Sequence, residues 1–271
     1  MNNLLIGVIG AGQMGSGIAA VCTLHGYRVI LVDPAKSALN KAKDTISQNL
    51  SKLSASTDAL SFHTDLNSLS TADLVIEAIP ENLELKHALY AKISPIVQPD
   101  AIIATNTSSF PISELANHII TPQQFIGMHF MNPVLKMELV EVIPGHLTDK
   151  TTLAAALTFI ASIKKSAVVT KDQSGFIVNR LLIPMINQAF IALENGLASK
   201  EDIDKAMEKG ASFPMGPLKL ADYIGIDTCL AIMKTLDAAH PKAGYAPAPL
   251  LQTYVDRNAL GRKTKQGVYS Y

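Results

Sequence analysis

The segment from Leu4 to Pro34 constrains this chain more than any other. Leu4-Leu5-Ile6-Gly7-Val8-Ile9 is a continuous apolar run, the pattern of a strand buried on both faces of a parallel sheet. Gly10-Ala11-Gly12-Gln13-Met14-Gly15 follows at once, and a helical pattern then runs from Gln13 to His25 and stops at Gly26. A second apolar run, Tyr27 to Val32, ends at Asp33-Pro34, where proline prevents the strand from continuing. Strand, glycine turn, helix and strand within about 30 residues make a βαβ unit.

The spacing G-x-G-x-x-G is weak evidence alone, but between a buried strand and a helix each glycine has a physical task. The first permits the tight turn, the second lets the backbone approach a pyrophosphate, and the third lets the helix pack close against the strand. The helix N-terminus adds positive partial charge. Asp33 stands 18 residues after Gly15, where a carboxylate accepts hydrogen bonds from ribose hydroxyls and repels a 2′-phosphate. Pro34-Ala35-Lys36 offers no arginine for such a phosphate. The segment is therefore expected to be a Rossmann unit that holds NAD in preference to NADP. The plainer alternative, a glycine-rich turn with a surface aspartate, would not need all four features in register.

The alternation continues. Helices are expected at 37–53, 83–93 and 150–163, and strands at 61–64, 73–79, 101–104, 125–130, 137–143 and 167–169. Strands alternating with helices argue for a doubly wound parallel sheet. Beyond this the strand signals stop, and 175–198, 200–210, 218–237 and 248–258 all carry helical patterns. The expected fold is α/β, an N-terminal doubly wound Rossmann domain (1–172) followed by a C-terminal all-α domain (173–271) for substrate binding and dimerisation.

Lys+Arg and Asp+Glu both total 23, so no net charge draws the chain to nucleic acid or an anionic membrane. No apolar run reaches the ~20 residues of a membrane span. Met1-Asn2-Asn3 lacks the basic region of a secretory signal. Cys22 and Cys229 lie far apart in apolar helical patterns, which suits buried thiols in a reducing compartment and no metal site. A cytoplasmic protein is expected.

Oxidation of an alcohol needs a base, a group that holds the base, and polar groups on the oxygen. His129 ends the apolar strand 125–130, near the carboxyl edge where ligands bind in such sheets. Glu141 sits inside the next apolar run, where a carboxylate is costly unless paired. Paired, the two would fix the imidazole tautomer; unpaired, they are a structural histidine and a solvent-facing edge acid. Thr105-Asn106-Thr107-Ser108-Ser109 follows strand 101–104, either as ligand groups or as a cap for helix 112–115. Asn179 lies on an apolar stretch of the first C-terminal helix, suited to a substrate contact or to an inter-helix hydrogen bond.

Together these segments resemble the short-chain L-3-hydroxyacyl-CoA dehydrogenases. The resemblance rests on Gly10–Gly15, Glu77-Ala78-Ile79-Pro80-Glu81-Asn82, Asn106–Ser109 and His129-Phe130-Met131-Asn132-Pro133. It continues through Leu139–Val142, Gly175–Arg180, Pro214–Pro217 and Gly261-Arg262-Lys263-Thr264. It implies that His129 is the general base, oriented by Glu141, with Ser108 and Asn179 on the substrate oxygen. It implies that Gly10, Gly12, Gln13, Met14, Gly15 and Asp33 bind NAD, with further cofactor contacts from Glu81, Lys86, Ser108, Asn132 and Lys263. It also implies a homodimer, an acyl-CoA substrate, and conversion of a short (S)-3-hydroxyacyl-CoA such as 3-hydroxybutyryl-CoA to the 3-oxoacyl-CoA.

The chain departs from that pattern in one place that matters. The helical hairpin usual after the second strand keeps its first helix, carrying Asn49 and Lys52 as candidate CoA contacts, and lacks its second. That departure motivates an alternative in which the same hydride chemistry acts on a non-CoA carrier or a small 3-hydroxy acid. A NAD-binding protein without turnover is a third reading, and it would not need His129, Glu141, Ser108 and Asn179 together. In the tail, Lys265 replaces a usual glycine and Val268 a usual aromatic residue.

Overall fold

A computed structural model describes residues 4–271; Met1–Asn3, on which the absence of a secretory signal was argued, lie outside the described residues. The chain divides into two compact units, the first ending at Gln173 and the second beginning at Ser174.

In the first unit the strands are β1 (Leu5–Ile9), β2 (Arg28–Val32), β3 (Leu60–His63), β4 (Leu74–Glu77), β5 (Ile102–Thr105), β6 (Phe125–Phe130), β7 (Leu139–Pro144) and β8 (Ser166–Val169). Their helices are α1 (Gln13–Leu24), α2 (Lys36–Ser51), α3 (Leu83–Ile93), α4 (Ile112–Leu115) and α5 (Lys150–Ser162). The eight strands form one sheet in the order β3-β2-β1-β4-β5-β6-β7-β8. The order reverses at β1, which pairs in parallel with both β2 and β4. Ligands bind outside the carboxyl ends of strands at such a switch point.

The sheet departs from the expected all-parallel arrangement at β7, which runs antiparallel to β6. The reason is length. Residues 131–138 are too few for a crossover, which needs a dozen or more, whereas an antiparallel return needs only a short connection. The strand β8 then pairs in parallel with β7, with α5 as the crossover.

The helices cover the sheet through apolar stripes. On α2 the buried positions are Leu39, Ala42, Ile46 and Leu50, the three- and four-residue spacing of one helical face. They join Ile6, Val8, Ile18, Val29, Leu31 and Met128 in the main core. Past Ser51 the chain turns, with Ser54 in a left-handed conformation (φ 55), and enters β3 at Leu60 without a further helix.

The second unit is helical: α6 (Val178–Glu194), α7 (Lys200–Gly210), α8 (Pro217–Ile224), α9 (Ile226–Ala239) and α10 (Pro249–Asp256). Two expected helices are redrawn. The one expected from 175 begins at Val178, because Gly175 (φ 78) and Phe176 (φ 48) take left-handed conformations. The one expected over 218–237 breaks at Gly225, whose φ of 108 is incompatible with a right-handed helix. Ile186, Phe190, Leu218, Ile226, Leu230, Met233 and Leu251 form this unit's core, and Val268 packs with them. Lys265 stands at φ 59, which accounts physically for why a glycine suits that position.

Candidate active site

The glycine loop is shaped by close contacts. A Cβ on Gly10 would lie 2.6 Å from the Ala78 carbonyl oxygen, and one on Gly15 would lie 1.8 Å from that of Gly10. Gly12 differs, since a Cβ there would meet nothing within 4 Å. That open approach at the start of α1 is the cradle a pyrophosphate requires. Both oxygens of Asp33 are engaged, Oδ2 by the Ala11 amide and Oδ1 by the Ala35 amide, each at 2.9 Å. The carboxylate thus fixes the loop and keeps further lone pairs able to accept other donors.

Two cavities adjoin this loop. The larger, about 1140 Å³, is lined by Gly10, Gly12, Gln13, Met14 and Asp33 together with apolar groups such as Ile79 and Leu85. An acid among apolar walls, beside a glycine cradle, fits the adenosine half of NAD. The smaller, about 480 Å³, lies between α1, α2 and the loop after β6, and is lined by Lys41, Thr45, Asn49 and Asn132. Asn49 and Asn132 therefore share one cavity wall. Lys52, just past the end of α2, is exposed and does not line it. Lys41 and Thr45 do line it and were missed by sequence reasoning, although both precede Asn49 at helical spacing on the same face.

His129 and Glu141 lie directly opposite one another across the antiparallel β6–β7 pair. Opposed residues project from the same face of a sheet. The Nδ1 of His129 is 2.8 Å from the Glu141 Oε2, with Glu141 fully buried and His129 nearly so. The buried acid inside an aliphatic strand has its partner.

The loop after β5 is fastened to the same edge. The Phe130 amide, next to His129, donates to Asn106 Oδ1 at 2.8 Å. Glu81 Oε1 accepts from the Thr107 hydroxyl (2.6 Å), the Ser108 amide (2.9 Å), the Ser109 amide (3.0 Å) and the Ser109 hydroxyl (2.7 Å). Burial pushes the Glu81 carboxyl up, but the Lys86 ammonium and the Thr107, Ser109 and Ser108 donors outweigh it and hold it below the usual range. Lys86 itself is buried against Glu77 at 2.7 Å. Glu77, Tyr90 and Thr105 complete this cluster and were missed as a group. The signal was available: Glu77, like Glu141, is an acid in a buried-strand run.

Asn179 and Lys263 belong to the second unit. Asn179 is half-buried in the first turn of α6, and Lys263 is ion-paired with Asp227. Cys22 and Cys229 are buried free thiols, each pushed up to about 12 by burial. Among the described residues no helix is long and apolar enough to cross a membrane.

Comparison with known proteins agrees with this geometry. Residues 5–173 match the 3-hydroxyacyl-CoA dehydrogenase NAD binding domain, and residues 175–271 match the 3-hydroxyacyl-CoA dehydrogenase C-terminal domain. A 3-hydroxybutyryl-CoA dehydrogenase from Bradyrhizobium diazoefficiens is 46% identical, over 98% of this chain and 94% of that protein. The crystal structure of (S)-3-hydroxybutyryl-CoA dehydrogenase PaaH1 from Ralstonia eutropha superposes with a TM-score of 0.95 at 42% identity, covering 98% of both chains. A diketoreductase acting on dicarbonyl compounds superposes with a TM-score of 0.84 at 30% identity over the full length of both chains. With both domain models matched in order and close relatives along the whole chain, this protein belongs to the 3-hydroxyacyl-CoA dehydrogenase family and is an NAD-dependent oxidoreductase.

Proposed function

We propose that the protein interconverts (S)-3-hydroxybutyryl-CoA, or a similarly short 3-hydroxyacyl-CoA, with the 3-oxoacyl-CoA. The observation that carries the reading is the buried 2.8 Å contact between His129 Nδ1 and Glu141. A carboxylate on Nδ1 holds the proton there and directs Nε2 to act as the base. In the oxidation direction His129 removes the hydroxyl proton, and the adjacent carboxylate stabilises the imidazolium that results. Ser108 and Asn179 hold the substrate oxygen. NAD⁺, when bound, would supply the acceptor for the hydride of the carbinol carbon; Gly10, Gly12, Gln13, Met14, Gly15 and Asp33 would hold the cofactor, with Ser108, Asn132 and Lys263 as further contacts.

The short-chain preference is supported by the relatives that are named for 3-hydroxybutyryl-CoA. NADH consumption with acetoacetyl-CoA is the direct test, and a silent wild-type enzyme overturns the reading. A second reading, in which CoA is not the handle, is favoured by the chain passing from α2 to β3 without another helix. The likeness to a diketoreductase also supports it. Equal kcat/KM on acetoacetyl-CoA and on a short-stem acetoacetyl thioester would select this second reading.

We further infer a homodimer formed through the helical unit, in a reducing compartment such as the cytoplasm. Leu181 on α6 (70% exposed) and Leu197 beyond it (78%) are apolar side chains that an interface would cover. Sedimentation of the protein as a monomer at micromolar concentration would overturn the dimer.

A further inference from the structure

Glu77 closes β4 opposite Thr105 at the end of β5. Its fully buried carboxylate receives four donors. Lys86 Nζ (2.7 Å) and the Ile79 amide (2.8 Å) donate to Oε1, and the Tyr90 (2.5 Å) and Thr105 (2.8 Å) hydroxyls donate to Oε2. Four donors fill the roughly four lone-pair sites a carboxylate has. Lys86 then reaches from Glu77 to Glu81 Oε2, 3.3 Å away. The Lys86 side chain is 1% exposed, so these carboxylates set where the ammonium stands.

Burying such ions is expensive, and well-packed apolar side chains often stabilise as much or more. What apolar residues cannot do is grip the far end of this chain of contacts. There Glu81 Oε1 gathers the donors of Thr107, Ser108 and Ser109. The Ser108 hydroxyl lies 3.4 Å from the same oxygen, a long contact that leaves it able to bond elsewhere.

We propose that Lys86 and Glu77 are positioning residues for the dehydrogenase reaction, holding Glu81 in the 107–109 cradle and so fixing where the Ser108 hydroxyl stands. The proposal rests on the reading that Ser108 holds the substrate oxygen. Glu77 fixes the ammonium, the ammonium fixes Glu81 Oε2, and Glu81 Oε1 gathers the loop. Lys86 thereby acts on the reaction through the substrate loop.

Lys86→Met keeps an unbranched side chain one atom shorter and removes its charge. With acetoacetyl-CoA the expected loss in kcat is ~10- to 100-fold, the scale of a misplaced reacting group. The fall in kcat exceeds any fall in NADH affinity, read by fluorescence, and the Ser108 and Ser109 amides exchange hydrogen faster. In a Ser108→Ala background the same substitution costs no more than about 2-fold, because the two act on one step. Wild-type kcat, a loss confined to NADH affinity, or an equal cost in both backgrounds overturns the proposal. Should Lys86→Met not fold, Glu81→Gln at the half-exposed end must give the same kcat loss and the same dependence on Ser108. An impaired Ser108→Ala beside an unaffected Lys86→Met sinks the positioning role alone. A fully active Ser108→Ala sinks the reading of Ser108 and the proposal with it.

Discussion

Buried carboxylates occur in both units, and their surroundings differ. In the helical unit Asp204 accepts from the Leu218 and Lys219 amides and the Tyr269 hydroxyl. Asp222 accepts from the Val268 and Tyr269 amides and the Tyr271 hydroxyl. Both acids spend their lone pairs on the backbone of α8 and of the tail, and Gly216, Gly261 and Gly267 pack against them too closely for a Cβ. At the sheet edge the buried Glu141 and the half-exposed Glu81 instead hold a side chain and a loop to which the proposed chemistry is assigned: His129, and the Ser108 segment. A buried acid whose donors are main-chain amides is architecture. An acid whose partner is an imidazole or a serine loop at the carboxyl edge of the sheet is placed to act as a positioning device.

That distinction can be broken by experiment. The largest expected effect is from His129→Ala, which removes the base and should lower kcat by ~10²–10⁴-fold with NADH affinity unchanged. Retained turnover would reduce the β6–β7 pair to architecture of the Asp204 kind. Glu141→Gln keeps the shape but not the charge, and a smaller fall of ~10- to 100-fold is expected, again without loss of the fold. A variant that instead loses stability and keeps kcat would put Glu141 with Asp222.

Asp222→Ala is expected to do the reverse. Leaving its amides unpaired should cost about 2 kcal/mol of stability in thermal or urea unfolding, with NADH affinity intact. The smallest effect concerns acid stability. Folding depresses the Glu81 pKa, so the unfolded chain binds this proton more readily than the folded one. Its contribution is present above the unfolded value and is lost as pH falls through the folded one. The Tm gap between wild type and Glu81→Gln should therefore narrow on titration from about pH 7 to about pH 3. A gap that does not change with pH would separate Glu81 from charge effects.

Much of the fold was legible because its signals are local. Apolar runs, glycine spacing and the stop at Pro34 give β1, α1 and β2, and the same patterns give most later elements. The misjudged places follow from non-local causes. The antiparallel β7 reflects a connection length, and the break at Gly225 reflects a left-handed backbone whose Cβ position is taken by Lys263. In the site, His129 and Glu141 were each suspect from chemistry alone, since an acid in an aliphatic strand must find a partner. Lys86 was not, because on a helix of mixed polarity a lysine gives no sign that it is 1% exposed.

The sequence by itself determined the cofactor end: glycines at a fixed spacing, two of them too close to backbone for a Cβ, and an acid after the second strand act within one βαβ unit. The reacting end was decided by tertiary structure. Only the reversal of β7 sets Glu141 opposite His129, and only the packing of α3 against β4 and β5 carries Lys86 between Glu77 and Glu81. These contacts join residues on separate strands, helices and loops, and their distances depend on strand direction and burial, which no local pattern encodes.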